Sequence, residues 1–473
     1  MIIKKYCYFY YIIFILSLIQ EIKTKDTLLF AFQMHRHGAR APYDGVTKGI
    51  DIYKEKWNQM QELTDIGRRQ LYLLGVKSRK RYIKEYNLLG EKYNPQEIYI
   101  RSTDSNRTIE SVYSFLQGLY PNGTGQTISD KVLKNTNITY PPNKNYKKDF
   151  EYILTKYNMI DNGASLPYQI SIEPIHLFYN HENELYEADR CIGLKEDYEK
   201  RQRRKEILDF ADKIMNETNN LFMELEGTDN KTFLYEYWQL YKYMDGFLCD
   251  DTDVRRFDYM KSKYGNDIVG QLRKYSKEYL DMDYFGTNFP EDAYKTGIAA
   301  QSYTLHNLLN WMNQAIKSFE RKYNNQYIKF VIYSGHDSTI GSMENFLRYA
   351  FNIKLESCSF ADSRYFELYV DDNGKYKVRF LKGDNTVKLD IDYETFKNKV
   401  NEKIWDDEKV KQFCQLYQKN NDKEEKKEEK KEEKKEEKEK DNHILGISLM
   451  IVLIIINGIL FIFLIFLSCV KRI

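Results

Sequence analysis

Thr27-Leu28-Leu29-Phe30-Ala31-Phe32-Gln33 runs without a charge straight into Met34-His35-Arg36-His37-Gly38-Ala39-Arg40-Ala41-Pro42. A short apolar run that stops in a polar, glycine-containing loop reads as a buried strand with its chemistry at the carboxyl end. The rhythm recurs. Leu63-Thr64-Asp65-Ile66-Gly67 opens an amphipathic helix in which Leu71, Leu74 and Ser78 fall at helical spacing through about Tyr86, with Thr64 as its N-cap. Glu97 to Ile100 is a second short strand, ending in Arg101-Ser102-Thr103-Asp104 ahead of a helix that Pro121 closes after Tyr120. Ile328 to Tyr333 is a third, followed by the loop Ser334-Gly335-His336-Asp337-Ser338 and a helix over Thr339 to Ala350. Three strands with polar carboxyl ends, each followed by a helix, predict an α/β fold: an open, mostly parallel sheet flanked by helices, with its site where those ends converge. Tyr365 to Val370 and Lys375 to Leu381, joined by Asp371-Asp372-Asn373-Gly374, add an antiparallel hairpin.

Outward from this core the pattern changes. Residues 141–288 lack the strand-loop-helix rhythm and are rich in Tyr, Glu, Lys and Arg, which predicts a largely helical cap inserted between core segments 25–140 and 289–420. Residues 1–24 carry Lys4 and Lys5 before the uncharged run Tyr6 to Ile19, the pattern of a signal peptide, with an uncleaved anchor as the alternative. Residues 421–442 are almost entirely a Glu-Glu-Lys-Lys repeat. Its four-residue period sets like charges at i,i+4 (Glu424 with Glu428, Lys426 with Lys430), so it reads as a solvated, weakly helical stalk. Residues 443–470 include an uncharged stretch from Ile444 to Val470 that as a helix would reach about 40 Å, enough to cross a bilayer with some tilt. Lys471 and Arg472 follow it in the tail 471–473, which predicts a single-pass type I protein whose body faces a lumen or the cell exterior. A removed lipid-anchor signal competes less well, because such tails rarely end in basic residues.

Composition narrows the function classes. The 473 residues hold 72 Lys plus Arg against 70 Asp plus Glu, a net charge of +2, so no broad basic field points to a nucleic-acid partner. Hydrophobic residues at 42% and aromatic ones at 15% exclude wholesale disorder. With Cys7 and Cys469 in the terminal apolar segments, Cys191, Cys249, Cys358 and Cys414 remain in an oxidising compartment, where four cysteines allow three pairings. No Cys-x-x-Cys motif and no His cluster accompanies them, so disulfides are expected and a metal is not. Sequons at Asn122, Asn137, Asn216 and Asn230 suit the same compartment.

The loops carry the candidate chemistry. Arg36 and Arg40 around His37, with Arg101 at the end of the next strand, would be costly to bring together unless a dianion or carboxylates neutralise them. Guanidinium forks match phosphate oxygens, and a neutral imidazole among them is an in-line nucleophile whose pKa the neighbouring positive charge lowers. In the other loop His336 can donate to a phosphate oxygen and Asp337 can protonate the departing ester oxygen.

These residues resemble the histidine acid phosphatase family, in its prostatic and lysosomal branch. Arg36-His37-Gly38-Ala39-Arg40-Ala41-Pro42 is similar to its Arg-His-Gly-x-Arg-x-Pro signature and His336-Asp337 to its second motif, while Leu63 to Gln70 and Ile100 to Thr108 are similar to two further blocks in the same order. The resemblance, which spans roughly Lys25 to Cys414, implies His37 as a nucleophile forming phosphohistidine and Arg36, Arg40, Arg101 and His336 as phosphoryl ligands. It also implies Asp337 as proton donor, a phosphate monoester as substrate and no cofactor. It further implies disulfides Cys191–Cys414 and Cys249–Cys358 and leaves room for a homodimer. A sequon at Asn106 falls inside a site block and is expected to stay unglycosylated for want of access. Two alternatives are a relative specialised for inositol polyphosphates or lysophosphatidic acid, and a catalytically silent ectodomain.

Overall fold

The computed structural model describes residues 26–42, 61–121, 124, 191–226, 290–321, 327–353 and 358–414, with isolated positions 152, 156, 245, 249, 262, 265, 270, 271 and 274–278. The stalk, both terminal apolar segments, most of the cap and the sequons at Asn122, Asn137 and Asn230 lie outside them. Among the described residues no helix is long and apolar enough to cross a membrane.

Strands β1 (Thr27–Arg36), β2 (Ile98–Ser102), β3 (Phe330–Gly335), β4 (Ser363–Val370), β5 (Tyr376–Lys382) and β6 (Val387–Asp392) form one sheet in the order β2-β3-β1-β4-β5-β6. The sheet is mixed: β1 and β2 run parallel to β3, whereas β4, β5 and β6 pair antiparallel from β1 outward. The parallel half and the hairpin match the sequence reading, and β6 extends the antiparallel half beyond it. β1 lies at the centre, and every residue in it except Thr27 is buried. This is why its sequence is continuously apolar instead of alternating. Phe30, Phe32 and Met34 pack on one face with α5 (Pro290–Glu320), α6 (Asp337–Phe351) and α7 (Tyr393–Lys403). Ala31 packs on the other with α1 (Asp65–Ser78) and α2 (Asn106–Leu119). Each large apolar side chain so buried contributes about 1.5–3 kcal/mol.

Thr64 caps α1 by accepting the Gly67 amide at 3.1 Å, as its position predicts. The helix then continues as a π-helical segment, Arg79–Glu85. From it Arg81 reaches Glu367, buried in β4, by two contacts of 2.6 Å. Helices α1 and α2 cross where only glycine fits: a Cβ at Gly75 would stand 2.0 Å from the Phe115 carbonyl, and one at Gly118 2.0 Å from that of Tyr72.

Two helices, α3 (Ile192–Gln202) and α4 (Lys205–Glu226), fall within residues 141–288, and Asn216 is exposed on α4. Cys191, at the start of α3, is bridged to Cys414, the last residue of α8 (Asp407–Cys414). Closing a loop of 223 residues removes unfolded-state entropy worth about 5 kcal/mol. The other expected pair is not formed. Cys249 and Cys358 are buried thiols with separate partners, Cys249 Sγ at 3.6 Å from an Arg40 nitrogen and Cys358 Sγ at 3.6 Å from the Ser359 carbonyl. Burial pushes the Cys358 thiol pKa far up, which keeps it protonated and unreactive.

Candidate active site

The carboxyl ends of β1, β2 and β3 are tied into one platform. The His37 amide donates to the Gly335 carbonyl at 2.9 Å and the Thr103 amide to the Ser334 carbonyl at 3.1 Å. Ser334 Oγ reaches the Thr108 carbonyl at 2.9 Å. The loop after His37 lies against the start of α1, because Gly38 and Gly67 are close enough that a Cβ on Gly38 would meet the Gly67 carbonyl oxygen at 2.4 Å.

His37 is almost wholly buried, and its Nδ1 lies 2.8 Å from the Gly38 carbonyl. A carbonyl can only accept, so Nδ1 carries the proton and Nε2 keeps the lone pair. Burial first, then the charges of Arg36, His336, Arg40 and Arg107, hold the imidazole pKa well below its ordinary 6.5. The ring is therefore neutral in mildly acidic solution, with Nε2 able to attack.

Arg36 is buried and divided between three demands. Nη2 pairs with Asp337 at 2.7 Å and Nη1 donates to the Cys358 carbonyl at 2.9 Å. Its Nε is a buried donor with no acceptor among the described residues, and Phe360 covers the guanidinium at 4.3 Å. Such a donor suits an incoming anion. Asp337 is the first residue of α6, not a loop residue, and 19% of its side chain reaches solvent. Burial alone would raise its carboxyl, but Arg36, His336, Arg40 and the Ser338 amide outweigh burial and hold it below the ordinary 3.8. The resting site thus carries an Asp337 carboxylate.

His336, the residue before α6, is held at both ring nitrogens: Nε2 lies 2.9 Å from Thr103 Oγ1 and Nδ1 3.4 Å from Arg107 Nη2. Since an arginine only donates, Nδ1 accepts and Nε2 carries the proton. Its ring stands edge-on to His37 at 5.4 Å between centroids.

The sequence reading located Arg101 in this group, and the geometry points to Arg107 instead. Arg107 sits in the first turn of α2, contacts His336 and is one of the charges that lower the His37 pKa. In β2, Arg101 shares the alternate face with Tyr99, whose ring packs on Trp311 of α5. The signal was present: a helix beginning at Asn106 aims its first-turn side chains back toward the preceding strand end. Arg107→Ala is expected to lower kcat/KM roughly tenfold to a thousandfold on aryl and alkyl phosphates alike, as loss of one charge stabiliser should. Arg101→Ala should cost less than tenfold on both, and steady-state rates with the two variants check the assignment.

Thr103, Phe360 and Asp245 also escaped the sequence reading. Asn106 is exposed and donates to Glu62 at 3.2 Å, so the access argument against its modification fails at the asparagine. The hydroxyl of Thr108 in that sequon is buried and bonded to the Thr103 and Ser105 carbonyls at 3.0 and 2.8 Å. Among the described residues no three His, Cys, Asp or Glu side chains are grouped so as to hold a metal ion.

The family model described as the histidine phosphatase superfamily (branch 2) matches residues 27–382. A lysosomal acid phosphatase from Xenopus laevis is 27% identical over 356 residues, 74% of this chain and 68% of the relative. The Rattus norvegicus protein of the same name is 26% identical over 76% and 71% of the two chains. Among solved structures, a phytase from Hafnia alvei is 13% identical, covers 81% of this chain and 98% of its own, and has a TM-score of 0.46.

Proposed function

The chain belongs to the histidine phosphatase superfamily (branch 2), and from that premise we propose that it hydrolyses phosphate monoesters in acidic solution through a covalent phosphohistidine on His37. One observation carries the reading: the Gly38 carbonyl fixes the Nδ1 proton of a buried, neutral imidazole, leaving Nε2 among Arg36, Arg40 and Arg107. In the first step Nε2 attacks phosphorus, the P–O ester bond breaks, and the departing alcohol oxygen takes a proton from Asp337. In the second, water attacks phosphorus, giving up a proton to the Asp337 carboxylate as the new P–O bond forms, the P–N bond breaks with its electron pair returning to Nε2, and phosphate leaves with His37 restored.

The resting Asp337 is a carboxylate, so its proton must arrive with the substrate. A phosphate monoester has its second pKa near about 6. Below that it is a monoanion, which supplies both the charge that the arginines bind and the proton that Asp337 passes on. As the phosphoryl group takes over Arg36, the carboxyl loses its main counter-charge and gains affinity for that proton. Activity measured as kcat/KM should therefore fall as pH rises above about 6, even though the resting carboxyl titrates far lower.

The arginines supply the charge stabilisation for which other phosphatases use metals. Phosphate release by the purified protein should persist in chelator and be inhibited by vanadate. Loss in chelator with recovery on adding zinc or magnesium would overturn the metal-free part. The same assay over a panel of esters reveals specialisation, and strong preference for inositol polyphosphates or lysophosphatidic acid would favour the narrower reading. The Cys191–Cys414 bridge and the terminal apolar segments support a membrane-anchored enzyme with its site in the lysosomal or endomembrane lumen, or at the cell surface.

A further inference from the structure

Arg40 does not wait for substrate with its fork open. Its Nη1 meets Asp245 Oδ2 at 3.0 Å and its Nη2 meets Oδ1 at 2.6 Å, with the two side chains only 3% and 4% exposed. Nη1 also donates to the Ala41 carbonyl at 3.0 Å, and Cys249, four residues beyond Asp245, has its sulfur 3.6 Å from the same nitrogen. The backbone at Arg40 is fixed from the core side through its bridge to Leu63. Asp245 comes from the segment 141–288, so that segment grips an arginine of the loop after β1 from the opposite side.

The charge count follows. Around His37 stand Arg36, Arg40 and Arg107, and facing them are two carboxylates, Asp337 on Arg36 and Asp245 on Arg40. Two of these guanidiniums thus already meet a carboxylate before substrate arrives. The two carboxylates differ in what they can do. Asp337 is 19% exposed, whereas Asp245 is sealed against Arg40 and cannot leave without stranding a buried guanidinium.

We propose that Asp245 is a positioning residue of the phosphoryl site, holding the Arg40 guanidinium in place from the cap and lowering the positive charge presented to His37 and Asp337. The inference rests on the phosphatase reading above. Arg40 is among the charges that lower Asp337 and His37, so removing its counter-charge strengthens that effect. The other groups facing Asp337 are Arg36, His336, the Cys358 thiol and the Ser338 amide, and none of them is altered by a change at Asp245.

The test uses Asp245→Asn and an alkyl phosphate, whose poor leaving group makes the transfer to His37 rate-limiting. With Arg40 unmasked, Asp337 holds its proton less well in the substrate complex. The alkaline limb of kcat should move to lower pH by roughly half a unit or more. A merely structural loosening of the cap would lower kcat without moving the limb. If Asp245→Asn fails to fold, the comparison is made between Arg40→Gln and the double variant Arg40→Gln, Asp245→Asn, where the second change has no guanidinium left to act on and should leave the limb where Arg40→Gln alone puts it; a further shift there overturns the inference. An unmoved limb in folded, active Asp245→Asn overturns it too, while leaving the phosphatase reading intact. Absence of phosphate release from wild type overturns both.

Discussion

Replacing His37 by alanine is expected to lower kcat/KM by roughly 10⁴-fold or more on every phosphate ester, with the protein still folded. The magnitude follows from the residue's place. His37 Nε2 keeps its lone pair, whereas the other unprotonated ring nitrogen beside the arginines, His336 Nδ1, is already engaged by Arg107 and its Nε2 by Thr103. His336 cannot take over the attack without breaking both contacts. Folding should survive because the His37 side chain makes one short local bond, to the adjacent Gly38 carbonyl, while its backbone ties to Gly335 and Ala361 remain. Turnover by the variant within tenfold of wild type would contradict the nucleophile assignment.

Asp337→Asn should separate the proton donor from the charge clamp. The amide cannot protonate a leaving oxygen, so alkyl phosphates are expected to lose about 10²- to 10⁴-fold in kcat. Nitrophenyl phosphate, whose phenolate departs with little help, should lose less than about tenfold. Loss of the carboxylate also frees Arg36 from its 2.7 Å ion pair, so inorganic phosphate should inhibit the variant at least as strongly as wild type. Equal losses on both esters would remove Asp337 from the acid role.

The parts of the fold that could be read in the sequence are those where one physical demand dominates. Thr27 to Gln33 is a strand because the centre of the sheet is buried on both faces, and a continuous apolar run has no other economical home. Thr64 announces α1 because a hydroxyl at that position satisfies the Gly67 amide. Where demands compete, the reading stops short. β6 is a sheet-edge strand whose Val387–Asp392 alternates apolar and charged residues strictly, a strand pattern that the reading did not carry past the hairpin. The second cysteine pair, Cys249–Cys358, is implied only by resemblance, yet the two cysteines each sit beside a different site arginine.

The candidate site divides in the same way. Arg36, His37, Arg40, His336 and Asp337 lie within two short stretches, and their local order suffices to bring them together once the parallel strands pair. The sequence favours Arg101 because a strand end is where side chains converge, while the first turn of the following helix brings Arg107 onto His336. Asp245 could not be read at all. It is 205 residues from Arg40, in a segment with no motif, and only tertiary packing makes one the partner of the other.

The most direct test of the covalent mechanism is rapid-quench trapping with radiolabelled ester at mildly acidic pH, followed by mapping of the protein-bound label. Phosphate that is labile to acid, stable to base and located on His37 is the predicted result. Label on another residue, or none within the first turnover of a wild-type enzyme that releases phosphate, would contradict it.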